Sequence, residues 1–195
     1  MQISPVTLTG KYVRLEPMTP AHIPALVDPG RDPSIWTYML YGPVTDEPAM
    51  SAWVGDMLRL RDAGTDLPFV VIHLASDRVA GATRYLDIRP AHRGLEIGGT
   101  WYGPEYQRTA VNTECKYLLL RHAFENLGCI RVQFKTDSRN IRSQKAIERI
   151  GAVREGVLRN HMVLLDGSFR NSVYYSILDN EWPGIKTRLE TMLSA

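Results

Sequence analysis

The 195-residue sequence is poor in the features that would mark a metal protein, a disulfide scaffold or a membrane protein. It has two cysteines, Cys115 and Cys129, so we expect reduced core thiols rather than a disulfide. Its five histidines show none of the spacings of a metal site: His22, His73, His92, His122 and His161. No stretch approaches the roughly 18 consecutive apolar residues of a membrane span, and the N-terminus lacks the basic start and apolar run of a signal peptide. We therefore expect a cytoplasmic protein that uses no metal and does not act at a membrane.

The sequence also lacks an excess of charge of either sign. Its 23 Lys and Arg residues against 21 Asp and Glu residues leave a net charge of +2, with the two signs interspersed. The basic residues form no patch interleaved with aromatic residues, which disfavours a noncatalytic RNA or nucleotide binder. What is present is 44% hydrophobic residues, over a length that suits one sizeable core. We predict a single domain over residues 1–195.

Hydrophobic periodicity divides the first half of the chain into strands and one long helix. Alternation predicts a half-buried strand in KYVRLEPM, and helical spacing predicts a helix over Glu47–Asp62, capped by Thr45 or Asp46. Three antiparallel strands are predicted next, in LPFVVIHL, VAGATRYLDI and GLEIGGTWYG. The last of them carries Gly98-Gly99 in its interior, which indicates a bulge or a place where a ligand or another backbone comes close.

The second half alternates helices and strands. A polar loop leads into a strongly apolar helix that carries Phe124 and is capped by Gly128. A strand, CIRVQFKTD, and a shorter helix from about Asn140 to Ile150 follow. Asp166-Gly167 tolerates the positive φ of a tight turn and so predicts a hairpin between AVREGVLRNHMVLL and FRNSVYYSIL. The tail WPGIKTRLETML predicts a last helix.

The polar loop before the apolar helix is the first candidate site. Loop and helix start comprise Gln107, Arg108, Thr109, Ala110, Val111, Asn112 and Thr113. The first N–H groups of a helix lack partners within it and its dipole places partial positive charge there, so this junction favours an anion such as phosphate. Arg108 would add a fork of donors. The local residues alone favour a simpler alternative, in which Thr109 or Asn112 only caps the helix and Arg108 is solvated.

A second candidate lies on the shorter helix. Asn140 and Ser143 are three residues apart and so share a face that also carries Ala146, Ile147 and Ile150. Two polar groups on an apolar stripe need partners. Either they contact a ligand, or Asn140 is only the N-cap and Ser143 only a small packed residue.

The order of the elements resembles the GCN5-related N-acetyltransferases (GNAT), most closely the branch typified by the ribosomal-protein N-terminal acetyltransferases. The resemblance covers nearly the whole chain, and its most specific part is KTDSRNIRSQKAIERIGA. It implies an α/β (α+β) fold, with a mixed, mostly antiparallel central sheet of about seven strands and helices on both faces. It also implies an N-acetyltransferase that carries the acetyl group of acetyl-CoA directly to a primary amine, of a protein N-terminus or a small molecule, in a ternary complex.

The resemblance assigns the cofactor contacts to residues already singled out. The backbone of the strand after the glycine pair would meet the pantetheine arm, at Thr100, Trp101 and Tyr102. The loop that starts at Gln107 would hold the pyrophosphate. Asn140 would bind pantetheine, and Ser143 would protonate the leaving thiolate.

The resemblance also suggests a general base. Glu96 matches the carboxylate that often draws a proton from the amine through water, a step needed because a protonated amine is no nucleophile. The alternative is that Glu96 faces outward from its strand or pairs with Arg84 or Arg93.

The chain departs from the family pattern within the phosphate loop. That pattern is Arg/Gln-x-x-Gly-x-Gly/Ala, and here Ala110 and Asn112 occupy the two small positions. Alanine restricts φ where glycine does not, whereas Asn112 can itself cap the helix or donate to phosphate. We therefore expect this loop to bind coenzyme A in a modified way, or weakly.

Four aromatic residues either line an acceptor pocket or belong to the core: Trp36, Tyr38, Tyr41 and Trp53. Tyr174 and Tyr175 are adjacent on a strand, so only one of them can face a site. A homodimer through the C-terminal strands or tail is a further expectation. The competing function is a CoA-binding sensor or partner protein with little catalysis.

Overall fold

The computed structural model describes residues 1–194 and contains one eight-stranded sheet. The strands are β1 Leu8–Thr9, β2 Val13–Pro17, β3 Leu67–His73, β4 Arg78–Arg89, β5 Gly94–Tyr102, β6 Arg131–Asp137, β7 Val153–Val163 and β8 Phe169–Leu178. Their order across the sheet is β1-β2-β3-β4-β5-β6-β8-β7, and only the β5/β6 pair is parallel. The predicted mixed, mostly antiparallel sheet is confirmed, with the two-residue β1 as the strand beyond the expected seven.

Five α-helices surround the sheet: α1 Ile23–Gly30, α2 Glu47–Asp62, α3 Ala110–Arg121, α4 Ile141–Arg149 and α5 Trp182–Ser194. The prediction for Glu47–Asp62 is confirmed at both ends, because the Asp46 side chain accepts a hydrogen bond from the Ala49 N–H and caps the helix. After α3 the chain makes one π-helical turn over His122–Asn126. Gly128 then takes a φ of +66°, as the predicted helix stop requires.

Helices cover both faces of the sheet, as predicted, and β3 is therefore buried on both sides. Phe69 and Val71 pack into a core with α3, α4 and α5, whereas Val70 and Ile72 pack with α1 and α2. Both cysteines are buried free thiols, as the sequence predicted.

The predicted irregularity at Gly98-Gly99 is a β-bulge. Arg84 of β4 pairs with Gly98 and Ala82 pairs with Trp101, so β5 has one residue more than β4 between the two pairs. Gly99 has a φ of +56°, and a Cβ there would lie 2.9 Å from Arg84 Nε. Both facts make glycine the suitable residue at this position.

The parallel pairing of β5 with β6 ends after three residues. Gly94–Glu96 pair with Arg131–Gln133, and beyond them the strands separate. From Ile97 to Tyr102 this edge of β5 has no strand beside it within residues 1–194. The separation opens a cleft in the middle of the sheet, at the point where the chain leaves β5 and enters α3.

The predicted hairpin of β7 and β8 is confirmed, with Gly167 at a φ of +80° in its turn. Strand β8 lies between β6 and β7, so the hairpin extends the sheet beyond the cleft.

Candidate active site

The cleft has a volume of about 600 Å³ and is bounded by β5, β6, α3 and α4. Ten of the sequence-predicted residues line it: Glu96, Thr100, Trp101, Tyr102, Gln107, Arg108, Thr109, Asn112, Asn140 and Ser143. Three others of that set do not line it. Ala110 is the first residue of α3, Val111 packs in the core, and the Thr113 hydroxyl accepts a hydrogen bond from Arg149.

The phosphate-loop candidate forms a capped helix start. Thr109 is the N-cap of α3, and its hydroxyl accepts from the Val111 N–H at 3.3 Å and donates to the Tyr106 carbonyl at 2.7 Å. Thr109 thus caps the helix, as the simpler alternative from the sequence expected, and its hydroxyl already has two hydrogen-bond partners. Gln107 Nε2 donates to the Tyr102 carbonyl at 3.0 Å, and Gln107 Oε1 accepts from Arg142 at 2.8 Å. The Gln107 side chain thus holds the loop against the end of β5 and the start of α4.

Glycine is dispensable at the two positions where the family uses it. Ala110 and Asn112 lie inside α3, where an ordinary helical backbone suffices. The positive φ of this loop falls on Arg108, at +62°. The alanine substitution therefore does not force strain into the loop, since the left-handed residue precedes it.

Basic side chains dominate the charged residues that line the cleft. Eight of them line it: Arg84, Arg108, Lys116, Lys135, Arg142, Lys145, Arg149 and Arg170. Among residues 1–194, Glu96 is the one acidic residue of that lining. Such a wall suits a polyanionic ligand, because Arg and Lys supply charge-assisted donors.

Glu96 is buried at the inner end of the cleft, with 2% of its surface exposed. The parallel pairing puts it beside Gln133, and its carboxylate accepts from Gln133 Nε2 at 2.9 Å and lies 3.4 Å from Lys135 Nζ. The alternative partners named from the sequence are wrong. Arg84 lies 3.2 Å from Asp66, and Arg93 donates to the Gly128 carbonyl.

Asn140 and Ser143 belong both to a helix cap and to the cleft. The Asn140 Oδ1 atom accepts from the Ser143 N–H at 3.0 Å, which makes Asn140 the N-cap of α4 as the simpler alternative supposed. Both residues nevertheless line the cleft, opposite the unpaired edge of β5.

The aromatic candidates divide between core and cleft. Tyr38 and Tyr41 line the cleft, whereas Trp36 and Trp53 are buried against the Trp101 ring. Tyr174 and Tyr175 point in opposite directions, as the strand period requires. The Tyr174 ring is on the Glu96 side, with its centroid 5.8 Å from Lys135 Nζ. The Tyr175 hydroxyl donates a hydrogen bond to Glu148 of α4.

Several lining residues had not been singled out from the sequence, among them Lys116, Lys135, Arg142, Arg149 and Arg170. For Lys135 the strand period indicates only that it shares a face with Gln133, and the pairing of β5 with β6 adds Glu96 to that face. For the others no local pattern separates a cleft residue from a solvated one.

Comparison with known proteins decides the family. Residues 13–153 match the family model described as an acetyltransferase (GNAT) domain. The chain belongs to this GNAT family. The match includes β5, the loop at Gln107, α3 and α4, so it covers the elements that build the cleft.

Three similar proteins illustrate the range of similarity. "Putative ribosomal N-acetyltransferase YdaF" of Bacillus subtilis (strain 168) is 35% identical over 49% of this chain and 51% of its own length. This chain thus spans about half the length of the curated relatives that it matches. A solved putative acetyltransferase from T. thermophilus is 42% identical over 99% of this chain and 100% of its own, with a TM-score of 0.89. Mycobacterium smegmatis RimJ, solved in complex with CoA-disulfide, is 19% identical and covers 96% and 95% of the two chains, with a TM-score of 0.81.

The predicted resemblance to the GNAT family and to its ribosomal branch is thereby confirmed. Within residues 1–194, the structure shows no group of three or more His, Cys, Asp or Glu residues arranged to hold a metal ion. Of the helices in that range, none has the length and apolar character to cross a membrane.

Proposed function

We propose that this protein transfers the acetyl group of acetyl-CoA to a primary amine by direct transfer within a ternary complex. The observation that carries the proposal is the cleft where β5 leaves β6. It combines a strand edge free to form hydrogen bonds, a wall of eight basic side chains and one buried carboxylate, Glu96. The membership of the GNAT family supports the same reaction.

The residues of the cleft offer different contacts along its length. At the outer end, the start of α3 with Arg108 and Arg142 would bind the diphosphate, because helix N–H groups and guanidinium forks both favour phosphate oxygens. In the middle, the free edge over Ile97–Tyr102 would pair with the amides of the pantetheine arm. At the inner end, Glu96 and Ser143 would flank the reacting carbon.

The chemistry requires two proton transfers. Acetyl-CoA supplies an activated thioester; a C–N bond forms to the amine while the C–S bond breaks. Glu96 would accept the amine proton through a water molecule, and the Ser143 hydroxyl would donate a proton to the departing thiolate. Lys135 would hold the Glu96 carboxylate in place, since the two charges lie 3.4 Å apart in a buried setting.

For the acceptor we propose a protein N-terminus. YdaF, which matches half of this chain, carries the word ribosomal in its name, and this supports testing protein substrates first. Small amines are the second class to test, because a shared fold does not fix the substrate.

One observation favours the competing function, a CoA-binding protein with little catalysis. Glu96 is already engaged by Gln133 and Lys135, so a base in this position has its lone pairs partly occupied. That function predicts acetyl-CoA binding without acetyl transfer to any member of an amine panel.

The proposed function is tested by initial rates with two acceptor classes. One is a peptide with a free N-terminal alanine or serine, matched with the same peptide blocked at its N-terminus but carrying an internal lysine. The other is a set of small primary amines. We expect acetylation of the free N-terminus, shown by mass spectrometry. When both substrates are varied, the double-reciprocal plots of initial rate should intersect. Parallel plots would contradict direct transfer, and an inactive panel with intact acetyl-CoA binding would support the competing function.

Replacing Ser143 with Ala should slow turnover without abolishing it. Thiolate is already a good leaving group, so we expect kcat to fall only about tenfold, less than the roughly 10²-fold or more that a general acid typically contributes. The readout is kcat for peptide acetylation, with Ser51→Ala as a control because Ser51 is exposed on α2 and does not line the cleft. A fall in kcat no larger than that of the control would remove Ser143 from the reaction.

Replacing Arg142 with Ala should weaken the binding of acetyl-CoA and leave the binding of acetyl-pantetheine almost unaffected. Arg142 would donate to the diphosphate, which only the first ligand has, and a lost charge-assisted hydrogen bond costs about tenfold or more in affinity. Titration calorimetry measures both dissociation constants. Arg159→Ala on the exposed part of β7 is the matched control. Equal weakening of both ligands would place Arg142 away from the diphosphate.

A further inference from the structure

Lys116 is a buried amine in the wall of the cleft. It lies on the second turn of α3, only 8% of its surface is exposed, and it lines the cleft. Its Nζ atom donates to the Thr100 hydroxyl at 2.6 Å. Thr100 belongs to the part of β5 that has left β6, and its hydroxyl is also 2.8 Å from that of Thr83 on β4.

This amine has no acidic partner. Within residues 1–194 no carboxylate lies within 4.0 Å of Lys116 Nζ. The neighbouring Glu114 points away, because its carboxylate accepts from backbone N–H groups at the turn between β1 and β2. A buried ammonium without a counter-charge is costly, and such groups need hydrogen-bond acceptors.

The other groups around Lys116 supply no negative charge either. On α3, burial raises the pKa of the Cys115 thiol to about 12, so it is neutral at physiological pH. The facing groups on β4 and β5 are the hydroxyls of Thr83 and Thr100, and Arg149 of α4 is a cation in the same cleft. Burial lowers the pKa of Lys116 from 10.5 to about 8.

We propose that Lys116 is a binding residue for the pantetheine arm of acetyl-CoA, its ammonium donating a hydrogen bond to a carbonyl oxygen of that arm. The inference rests on the proposed function. The position selects the arm over the diphosphate, because Lys116 lies four residues, or about 6 Å of helix, beyond Asn112 at the helix start. It selects the arm over the acetyl group, because its partner Thr100 is four residues along β5 from Glu96.

The proposal makes cofactor affinity depend on pH. Only the ammonium form donates strongly to the carbonyl, so the ligand favours protonated Lys116 and raises its pKa in the complex. The affinity is then constant below the pKa of Lys116 in the free protein, about 8, and falls as the pH rises above that value. From pH 7 to pH 9 we expect the affinity to fall about tenfold, because pH 9 is about one unit above the pKa of Lys116 in the free protein.

The test is the affinity of acetyl-pantetheine at pH 7 and pH 9, measured by calorimetry with the whole protein. Acetyl-pantetheine has no phosphate and no group that titrates in this range, so any change arises from the protein. Lys116→Met removes the amine at nearly constant length, and Lys116→Arg keeps a cation that does not titrate. Thermal unfolding of each variant without ligand confirms that it is folded; for Lys116→Met we expect a higher Tm at pH 7, since an unpaired buried charge is removed.

We expect the wild type to bind about tenfold more weakly at pH 9, and Lys116→Met to bind weakly at both pH values. A wild-type affinity that is equal at pH 7 and pH 9 overturns the proposal, and so does a Lys116→Met variant that keeps the tenfold change. Both of those results leave the proposed function intact, because the ligand still binds. An absence of binding by acetyl-CoA and acetyl-pantetheine at every pH contradicts the proposed function itself.

Discussion

Glu96→Gln lowers kcat for acetyl transfer by about 10²- to 10⁴-fold and leaves the affinity for acetyl-CoA within a few-fold of wild type, on the proposed mechanism. The amide matches the carboxylate in size and can still accept from Gln133, but it cannot take a proton from the amine. The loss therefore falls on the chemical step rather than on the binding of the cofactor.

The measurement is kcat over a range of pH for the wild type and for Glu96→Gln. Glu47→Gln, on an exposed position in the first turn of α2, is the matched control. We expect kcat of the variant to stay far below that of the wild type at every pH, while Glu47→Gln keeps the wild-type rate. An unchanged rate and pH profile would exclude Glu96 as the base.

Glu114→Ala is expected to have the largest effect on stability. Glu114 is 4% exposed on α3, and its carboxylate accepts from the backbone N–H groups of Lys11, Tyr12 and Val13 at 2.8, 2.6 and 2.7 Å. These bonds attach the turn between β1 and β2 to a helix about a hundred residues later in the chain. Gly10 leaves room for the carboxylate, since a Cβ there would overlap the Glu114 carboxyl group.

Removing this carboxylate leaves three backbone N–H groups without an acceptor, that of Val13 buried and those of Lys11 and Tyr12 partly buried. We expect the free energy of unfolding to fall by about 3–5 kcal/mol, because each hydrogen bond to a charged acceptor contributes about 1.5–3 kcal/mol and two of the three are only partly buried. Glu114→Gln keeps one acceptor oxygen and should lose less. Urea denaturation measures the change, with Glu105→Ala as an exposed control. A loss below about 1 kcal/mol for Glu114→Ala would contradict this account.

Local rules of the sequence predicted much of the fold. Asp46 and the periodicity after it predicted α2, Gly167 predicted the hairpin of β7 and β8, and Gly98-Gly99 predicted the bulge. In each case the backbone needs a residue type that only a few side chains satisfy. Strand β1 was missed, because two residues carry no periodicity and are held by pairing with β2.

The site could be predicted less completely, because it depends on contacts between distant segments. The sequence marks Arg108 as a donor but not as the residue with positive φ, which is set by how the loop joins β5 to α3. Likewise, Gln133 and Lys135 become the partners of Glu96 only through the parallel pairing of β5 and β6. Burial of Lys116 follows from the packing of α3 against the separated part of β5, which no local pattern encodes.

The central claim is that acetyl-CoA binds in the cleft between β5 and β6, and amide hydrogen exchange with and without acetyl-CoA tests it most directly. The edge of β5 over Ile97–Tyr102 lacks a neighbouring strand, so its outward amides should exchange readily in the free protein. We predict slower exchange on binding in residues 97–102 and 107–113, with little change in the turn at Gly167. Unchanged exchange in both segments at saturating acetyl-CoA would contradict the claim.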